Sequence, residues 1–213
     1  MTSFDESVDF FDRMRQSEWG RRVMEEFIAF IGPRPSWTAL DIGCGAGNLS
    51  LTLASRVARV EGIDVSPRMV ERAREKCAAS TPANCAFRVA RAEELPYAEV
   101  TFDLATTSSV LYLVSDQPRA AEEMARVTRS GGLVALHEPT PLMTPARMDR
   151  HLEERRAAGE DVSGPSGWAR AAVSHSPLTE ERVVELFEPH GLRFAESRRR
   201  MEGMVLEAKL LRR

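Results

Sequence analysis

A glycine-rich turn between an apolar strand and a helix is the part of this 213-residue sequence whose residue types most clearly predict chemistry. The stretch TALDIGCGAGNLS, residues 38–50, has glycine at positions 43, 45 and 47. Glycine allows tight backbone turns and leaves no Cβ atom in the way of a ligand that lies on the peptide groups. The free N–H groups at the start of the following helix face the same ligand. The turn is therefore predicted to bind a nucleotide-like molecule.

Two aspartates near this turn indicate which kind of nucleotide it is. Asp41 precedes Gly43 by two positions, where a fixed carboxylate is a poor neighbour for a diphosphate but suits a cationic amine. Asn48 stands where the dinucleotide fingerprint has its third glycine. Asp64 ends the next predicted strand, close to the spacing of about 20 residues that is expected of a ribose-binding acid. A ribose with an amine and no phosphate fits S-adenosylmethionine.

Five stretches of the sequence follow one another as motifs. They are LDIGCGAGN (40–48), VEGIDVSPRMVERARE (60–75), ARAEELPY (90–97), FDLATTSSVLYLV (102–114) and RVTRSGGLVALHEP (126–139). In this order they resemble the motifs of class I S-adenosylmethionine-dependent methyltransferases, in the broad group that includes the ubiquinone and menaquinone C-methyltransferases. The resemblance covers residues 38–139. It implies an enzyme that moves the methyl group of S-adenosylmethionine to a small-molecule acceptor by in-line displacement.

The spacing of apolar residues predicts strands that alternate with helices. Strands are predicted at 38–43, 59–64, 86–90, 102–107, 132–138, 192–197 and 203–211, and helices at 48–57, 67–79, 117–129 and 180–189. Such alternation implies a parallel sheet that is covered on both faces. With the resemblance, it predicts an α/β fold: a Rossmann-like, seven-stranded, mostly parallel sheet with an antiparallel closing hairpin and helices on both faces.

Two segments outside this alternation are predicted to cover the site. Residues 1–35 have helical spacing with a break near Ser17, and we interpret them as an N-terminal lid. Residues 36–213 are the methyltransferase core, with a cap insertion at about 139–178. Phe11, Trp19 and Trp168 are predicted to close over the site and exclude water, and ordinary helix packing is the alternative.

The resemblance also implies which residues contact the cofactor. Gly43 and Gly45 support the methionine portion through their backbone, Asp41 anchors its amino group, and Asp64 accepts hydrogen bonds from the ribose. The alternatives are that Asp41 is bonded only to the backbone and that Asp64 is a plain turn residue. The full set of predicted cofactor-binding residues is Asp41, Gly43, Cys44, Gly45, Asn48, Asp64, Val65, Met69, Ala92, Glu93, Thr107 and Ser108.

The adenine contacts depart in part from the pattern of the family. Val65 and Met69 would flank the ring, although Met69 is also suited to core packing. Arg91 stands where many relatives have an aspartate that accepts from the adenine amine, and an arginine side chain can only donate. The backbone N–H of Ala92 and the carboxylate of Glu93 are the remaining candidates.

Catalysis requires a base only if the acceptor must lose a proton. The candidates are Tyr112, His137, Glu138 and His175. Three of them also have an ordinary structural interpretation: Tyr112 as a core residue, His137 as a histidine within an apolar strand, and His175 as a solvated loop residue.

The segment after the fourth strand bears on the class of acceptor. Methylases that act on amino groups of bases or glutamine typically have Asp/Asn-Pro-Pro-Tyr/Phe here, whereas this chain has Thr107, Ser108 and Ser109. Thr107 or Ser108 would offer a main-chain carbonyl to the cofactor ammonium. The net charge of −3 gives no general basic field for nucleic acid, and the arginines at 198–200 are predicted to lie on a solvated edge strand. An RNA or protein methyltransferase, and a non-catalytic module that binds S-adenosylmethionine, stay as alternatives.

Composition limits the remaining classes. No apolar run approaches the roughly 18 residues of a membrane helix. The three cysteines form no C-x-x-C pair, so neither a zinc site nor a disulfide framework is indicated, and no metal is predicted. We therefore predict a cytoplasmic enzyme with a small-molecule partner. The identity of the acceptor is not evident from the sequence.

Overall fold

The computed structural model describes residues 8–80, 84–160, 162 and 166–213, and a seven-stranded sheet forms its centre. The strands are β1 Thr38–Ile42, β2 Arg59–Asp64, β3 Cys85–Val89, β4 Phe102–Ser108, β5 Thr128–Pro139, β6 Leu192–Arg200 and β7 Val205–Arg212. Their order in the sheet is β3-β2-β1-β4-β5-β7-β6. The first five strands pair in parallel, and β7 runs antiparallel between β5 and β6. The predicted fold class is confirmed.

The helices of the described residues pack around this sheet. They are α1 Val8–Gln16, α2 Glu18–Ile31, α3 Asn48–Ala54, α4 Pro67–Ala78, α5 Gln117–Val127, α6 Pro145–Ala157, α7 Ser166–Val173 and α8 Glu180–Phe187. The predicted break near Ser17 is confirmed, because the Ser17 hydroxyl accepts from the Gly20 N–H at 3.1 Å and caps α2. Residues 1–7 of the predicted lid, and residues 161 and 163–165 of the predicted insertion, lie outside the described residues.

Three helices end two or more residues before the predicted position. α3 ends at Ala54 and not at 57, α5 ends at Val127 and not at 129, and α8 ends at Phe187 and not at 189. Thr128 is already extended, with φ −82° and ψ 129°, and its hydroxyl donates to the Met124 carbonyl at 2.7 Å. β5 consequently begins at Thr128, four residues before the predicted start, and pairs there with Phe102 of β4.

Apolar side chains from alternate strand positions form a core on each face. On one face α2 and α3 cover Ala39, Val60, Leu104, Leu133 and Ala135. On the other face α5 and α8 cover Leu40, Ile42, Val134, Leu136 and Leu206. This two-sided burial explains why the parallel strands are apolar in sequence.

A third apolar cluster joins α2 to the insertion. Trp19 and Val23 of α2 pack with Met148 of α6 and Trp168 of α7. Tyr112, Met204 and Val205 belong to the same cluster, which places it beside the carboxyl ends of β4 and β5. In parallel sheets ligands bind at that end. Within the described residues, no helix is long and apolar enough to cross a lipid bilayer.

Truncation of a buried leucine in the central strand tests this core. Leu104 is fully buried in β4, so we expect Leu104→Ala to lower the free energy of unfolding by about 2–5 kcal/mol, through lost transfer energy and a cavity. Leu142 is 40% exposed, and Leu142→Ala should change it by no more than about 0.5 kcal/mol. Urea denaturation measures both, and equal effects would contradict the core assignment.

Candidate functional site

The glycine turn and the end of β2 form one hydrogen-bonded unit. The Gly45 N–H donates to one oxygen of Asp64 at 2.9 Å, and the Ser66 N–H donates to the other oxygen at 2.9 Å. Gly45 has φ +53°, and a Cβ atom there would meet nothing closer than the Met69 sulfur at 3.9 Å. Asp64 is therefore held in place, beside a turn with open space over its backbone. From the sequence, Asp64 was predicted to have a ribose ligand or, as the alternative, a place in a turn, and its bond to the separate glycine turn was not predicted.

Gly43 is required for a different reason from Gly45. It has φ +69°, and a Cβ atom would lie 2.3 Å from the Val110 side chain. Val110 follows β4, so the close approach joins the glycine turn of β1 to the turn after β4. Gly43 is therefore needed for the close packing of the two turns, whereas Gly45 leaves open space in which a ligand could lie.

Asp41 lies at the end of β1 and is buried. Its carboxylate accepts from the Ser50 hydroxyl of α3 at 2.6 Å, which differs from the alternative of bonds to the backbone alone. Burial raises the pKa of Asp41 from 3.8 to about 7, whereas the Ser50 hydrogen bond and the nearby Arg15 cation favour the ionised form. A further cation beside this buried carboxylate would favour its ionised form and would therefore bind favourably there.

Arg15 of α1 extends to the same strand ends. One guanidinium nitrogen donates to the hydroxyls of Ser108 and Ser109, each at 3.3 Å. Burial lowers the pKa of Arg15, and the charges of Asp41 and Glu138 oppose that shift. Ser109 has φ +63°, a strained backbone conformation of the kind that clusters at functional sites.

Two further contacts fix α1 over the glycine turn. Val8 and Phe11 pack on Ala46 and Met69. Asp12 accepts from the Asn48 amide at 3.0 Å and from Lys76 at 2.7 Å. Asp12 and Arg15 were not among the residues predicted from the sequence. The spacing could have indicated them, because positions 8, 12 and 15 lie on the same face of a helix and two charged residues therefore share that face with the apolar Val8.

The predicted adenine-side residues follow β2 and β3, and Met69 among them lies in the first turn of α4. Met69 and Ala92 are buried, and Val65 is half-buried. The carboxylate of Glu93 accepts from Arg91 at 2.8 Å and from the Ser115 hydroxyl at 3.2 Å. Arg91 therefore pairs with the carboxylate that was predicted to contact adenine.

Glu138 stabilises the turn after β4. Its carboxylate accepts from the Thr107 hydroxyl at 2.8 Å and from the backbone N–H groups of Val110 and Leu111, both at 3.1 Å. Burial raises the pKa of Glu138, and these donors oppose the shift. Because its oxygens are engaged by this turn, the structure places Glu138 in a supporting role and not as a free base.

The other candidate bases lie in different environments. Tyr112 is buried, and burial raises the pKa of its hydroxyl. His175 is exposed and donates from Nδ1 to the Ala171 carbonyl at 2.8 Å, with its ring edge-on to Tyr112. His137 is buried in β5, and its Nδ1 lies 2.9 Å from a carboxylate oxygen of Glu207 in β7.

A cleft of about 210 Å³ opens between α2, α6 and the adjoining ends of β5, β6 and β7. It is lined by Trp19, Arg22, Val23, Glu26, His137, His151, Arg155, Arg200, Met201 and Glu207. The glycine turn does not line it. β6 is an edge strand as predicted, but Arg198 pairs with Glu207 and Arg200 with Glu26, so these arginines are not simply solvated. None of the described residues form a metal-binding group of three or more His, Cys, Asp or Glu.

Comparison with known sequences supports a methyltransferase. Residues 39–132 match the family described as "Methyltransferase domain". The "2-phytyl-1,4-naphtoquinone methyltransferase" of Nostoc sp. is 32% identical over 148 residues, which are 64% of this chain and 64% of that protein. The "27-O-demethylrifamycin SV methyltransferase" of Amycolatopsis mediterranei is 31% identical over 143 residues, 66% of this chain and 53% of that protein. The chain thus spans less than two thirds of these relatives.

Solved structures share the whole fold. The N-methyltransferase NodS of Bradyrhizobium japonicum, determined with S-adenosyl-L-homocysteine, aligns with a TM-score of 0.69 and 19% identity over 99% of this chain and 96% of that one. A methyltransferase of Aquifex aeolicus aligns with a TM-score of 0.68 and 19% identity, over 97% of each chain.

Four features agree with the resemblance found in the sequence. They are the glycine turn, the aspartates at the ends of β1 and β2, the mostly parallel sheet with its antiparallel hairpin, and the matched domain. The predicted family and its cofactor, S-adenosylmethionine, are confirmed. The matched domain of residues 39–132 and the fold around it are those of the class I S-adenosylmethionine-dependent methyltransferases.

Proposed function

We propose that this chain transfers the methyl group of S-adenosylmethionine to a small-molecule acceptor. The observation that carries the proposal is the unit formed by Asp64 and the Gly45 N–H, beside a turn with room for a ligand. Each carboxylate oxygen of Asp64 has two lone pairs, so it can accept from a ribose hydroxyl while it holds the turn. S-adenosylmethionine, when bound, supplies a methyl group on a sulfonium whose leaving group is a neutral thioether.

The charged groups at the strand ends suit the amino-acid end of this cofactor. Asp41 offers a carboxylate to the ammonium, and Arg15 offers a cation to the carboxylate. Met69 and Ala92 give apolar walls for the adenine. The remaining residues assigned to the cofactor, Cys44, Asn48, Val65, Glu93, Thr107 and Ser108, stay predictions.

The acceptor side is formed by α1, α2 and the insertion. We propose that residues 1–35 and about 139–178 act as the lid and cap, with Phe11, Trp19 and Trp168 among the residues that exclude water. Supporting this, Trp19 and Trp168 share one buried cluster beside the ends of β4 and β5. The names of the Nostoc and Amycolatopsis relatives both describe small organic acceptors. Cytoplasmic location stays a prediction.

Two experiments, first on binding and then on methyl transfer, test the proposal. Isothermal calorimetry with S-adenosylmethionine and S-adenosyl-L-homocysteine should give 1:1 binding. A screen with a methyl-labelled donor and a panel of quinols, phenols, alcohols and amines should then give a labelled product. Binding without any transfer would favour a non-catalytic binding module, and the absence of binding would contradict the proposal.

Substitution of Asp64 tests the ribose contact. Asp64→Ala should weaken S-adenosylmethionine binding by about 1–3 kcal/mol or more, because buried hydroxyls lose a charged acceptor. Asp64→Asn retains one oxygen for the Gly45 N–H and should have an intermediate effect. Calorimetry measures both, with Glu185→Ala on the exposed face of α8 as the control. Unchanged affinity in Asp64→Ala would count against the site.

Substitution of Asp41 tests the balance between stability and function. The pKa of Asp41 is about 7 in the folded chain and 3.8 as its ordinary value, so the unfolded chain loses this proton first as pH rises. The free energy of unfolding should therefore fall between pH about 4 and about 7, by up to about 4 kcal/mol. Asp41→Asn should remove this fall while it weakens cofactor binding.

Urea denaturation at several pH values measures this effect. Ser50→Ala removes a hydrogen bond that favours the ionised form of Asp41. The free energy of unfolding should therefore continue to fall up to a higher pH than in the wild type. If wild type and Asp41→Asn had the same pH dependence between 4 and 8, the raised pKa would be refuted.

A further inference from the structure

Two buried nitrogen atoms beside the cleft have no hydrogen-bond partner in the described structure. They are Nε2 of His137 and Nε1 of Trp168. The two rings stack, with 6.0 Å between their centroids and 20° between their planes. Both residues are at least nine-tenths buried. Native proteins rarely leave buried polar side-chain atoms unpaired, so this pair of nitrogens is suited to a polar group of a ligand.

Glu207 determines which ring nitrogen of His137 carries the hydrogen. The antiparallel pairing of β5 and β7 places His137 opposite Glu207, and the carboxylate lies 2.9 Å from Nδ1. Nδ1 therefore carries the hydrogen, and Nε2 of the neutral ring presents a lone pair. The other oxygen of Glu207 pairs with Arg198, which fixes the carboxylate. This is the arrangement of a base and the group that orients it.

The two unpaired nitrogens require complementary partners. Trp168 Nε1 can only donate, and His137 Nε2 can only accept. A hydroxyl group satisfies both, because its oxygen accepts from the indole and its hydrogen is donated to the imidazole. An ether accepts only and an ammonium donates only, so neither satisfies the pair.

We propose, on the basis of the proposed function, that His137 is the general base for an acceptor whose reacting group is a hydroxyl held by Trp168. The proton of the hydroxyl moves to Nε2, and the oxygen forms the new bond to the methyl carbon. The carbon–sulfur bond of the donor breaks and its electron pair stays on the sulfur as a neutral thioether. The imidazolium that results is stabilised by Glu207. The product is a methyl ether.

The charges around His137 suit this role. Burial lowers the pKa of His137 below its ordinary value, and Arg15 and Arg198 act in the same direction, whereas Glu207 raises it. The ring is therefore neutral, as a base must be, at neutral pH. The other charged or titratable groups that line the cleft beside it are Arg22, Glu26, His151, Arg155 and Arg200.

The first experiment observes the two nitrogens directly. Phenol and its methyl ether, anisole, are added to ¹⁵N-labelled protein in the presence of S-adenosyl-L-homocysteine, and nuclear magnetic resonance records the side-chain nitrogens of His137 and Trp168. Phenol should shift both resonances, and anisole should leave Nε2 of His137 unchanged. Phenol should also bind about 10-fold or more tightly than anisole. No shift with phenol, or equal shifts with the two probes, would overturn the proposal.

The second experiment follows transfer to the hydroxyl acceptor that the labelled-donor screen identifies. His137→Gln should lower kcat about 100-fold or more. Trp168→Phe retains the ring but loses the N–H, and it should lower kcat/KM about 10-fold. The controls are His190→Gln and Trp37→Phe, both near the opposite end of the sheet, which should retain wild-type rates.

Glu207 is a positioning residue, so its test uses the pH profile. The wild-type rate should fall as pH drops through the pKa of His137. Glu207→Gln removes the charge that raises this pKa and should move the acid limb to lower pH, in addition to lowering kcat. An unmoved acid limb, or an active His137→Gln, would overturn the proposal.

If the wild type transfers methyl to amines or carbon only, the base assignment fails and the proposed methyltransferase function stands. If nothing is methylated, the proposed function fails, and the probe shifts still report on the hydroxyl site.

Discussion

The site depends on how carboxylates at the carboxyl ends of parallel strands obtain their hydrogen-bond partners. Glu138 accepts from the turn after β4, and Asp64 accepts from the glycine turn and Ser66, so both are held by the backbone. Asp41 is bonded to Ser50, and burial still raises its pKa to about 7. The first two carboxylates therefore shape the turns, and the third is the one that gains most from an additional cation.

The cover over the glycine turn combines apolar and charged contacts. Aromatic residues were expected to close the site, and Phe11 does lie near Met69. The charged residues of α1 have the more specific contacts, because Asp12 binds Asn48 and Arg15 binds Ser108 and Ser109. An amphipathic helix whose buried face carries charges is positioned by those charges and not by apolar area alone.

The pair of unsatisfied nitrogens lies on the other side of the same strand ends, where β5 meets the closing hairpin. His137 and Glu207 are 70 residues apart, and the β5–β7 register brings them together. Trp168 reaches His137 from the insertion. The polar groups in this region therefore come from three distant parts of the chain, whereas the cofactor end is built from consecutive motifs.

The family, the mostly parallel sheet and the location of Asp64 and Gly45 could be predicted from the sequence, because a turn, its strand and its helix are encoded by consecutive residues. The sequence placed the break at Ser17, and it misplaced the end of α5, since Thr128 leaves the helix to pair with Phe102 of another strand. Three contacts became evident from the folded chain alone: Arg91 pairs with Glu93, Glu138 supports a turn, and His137 meets Glu207. Those contacts join residues whose meeting depends on side-chain direction or on strand register, and neither follows from local spacing.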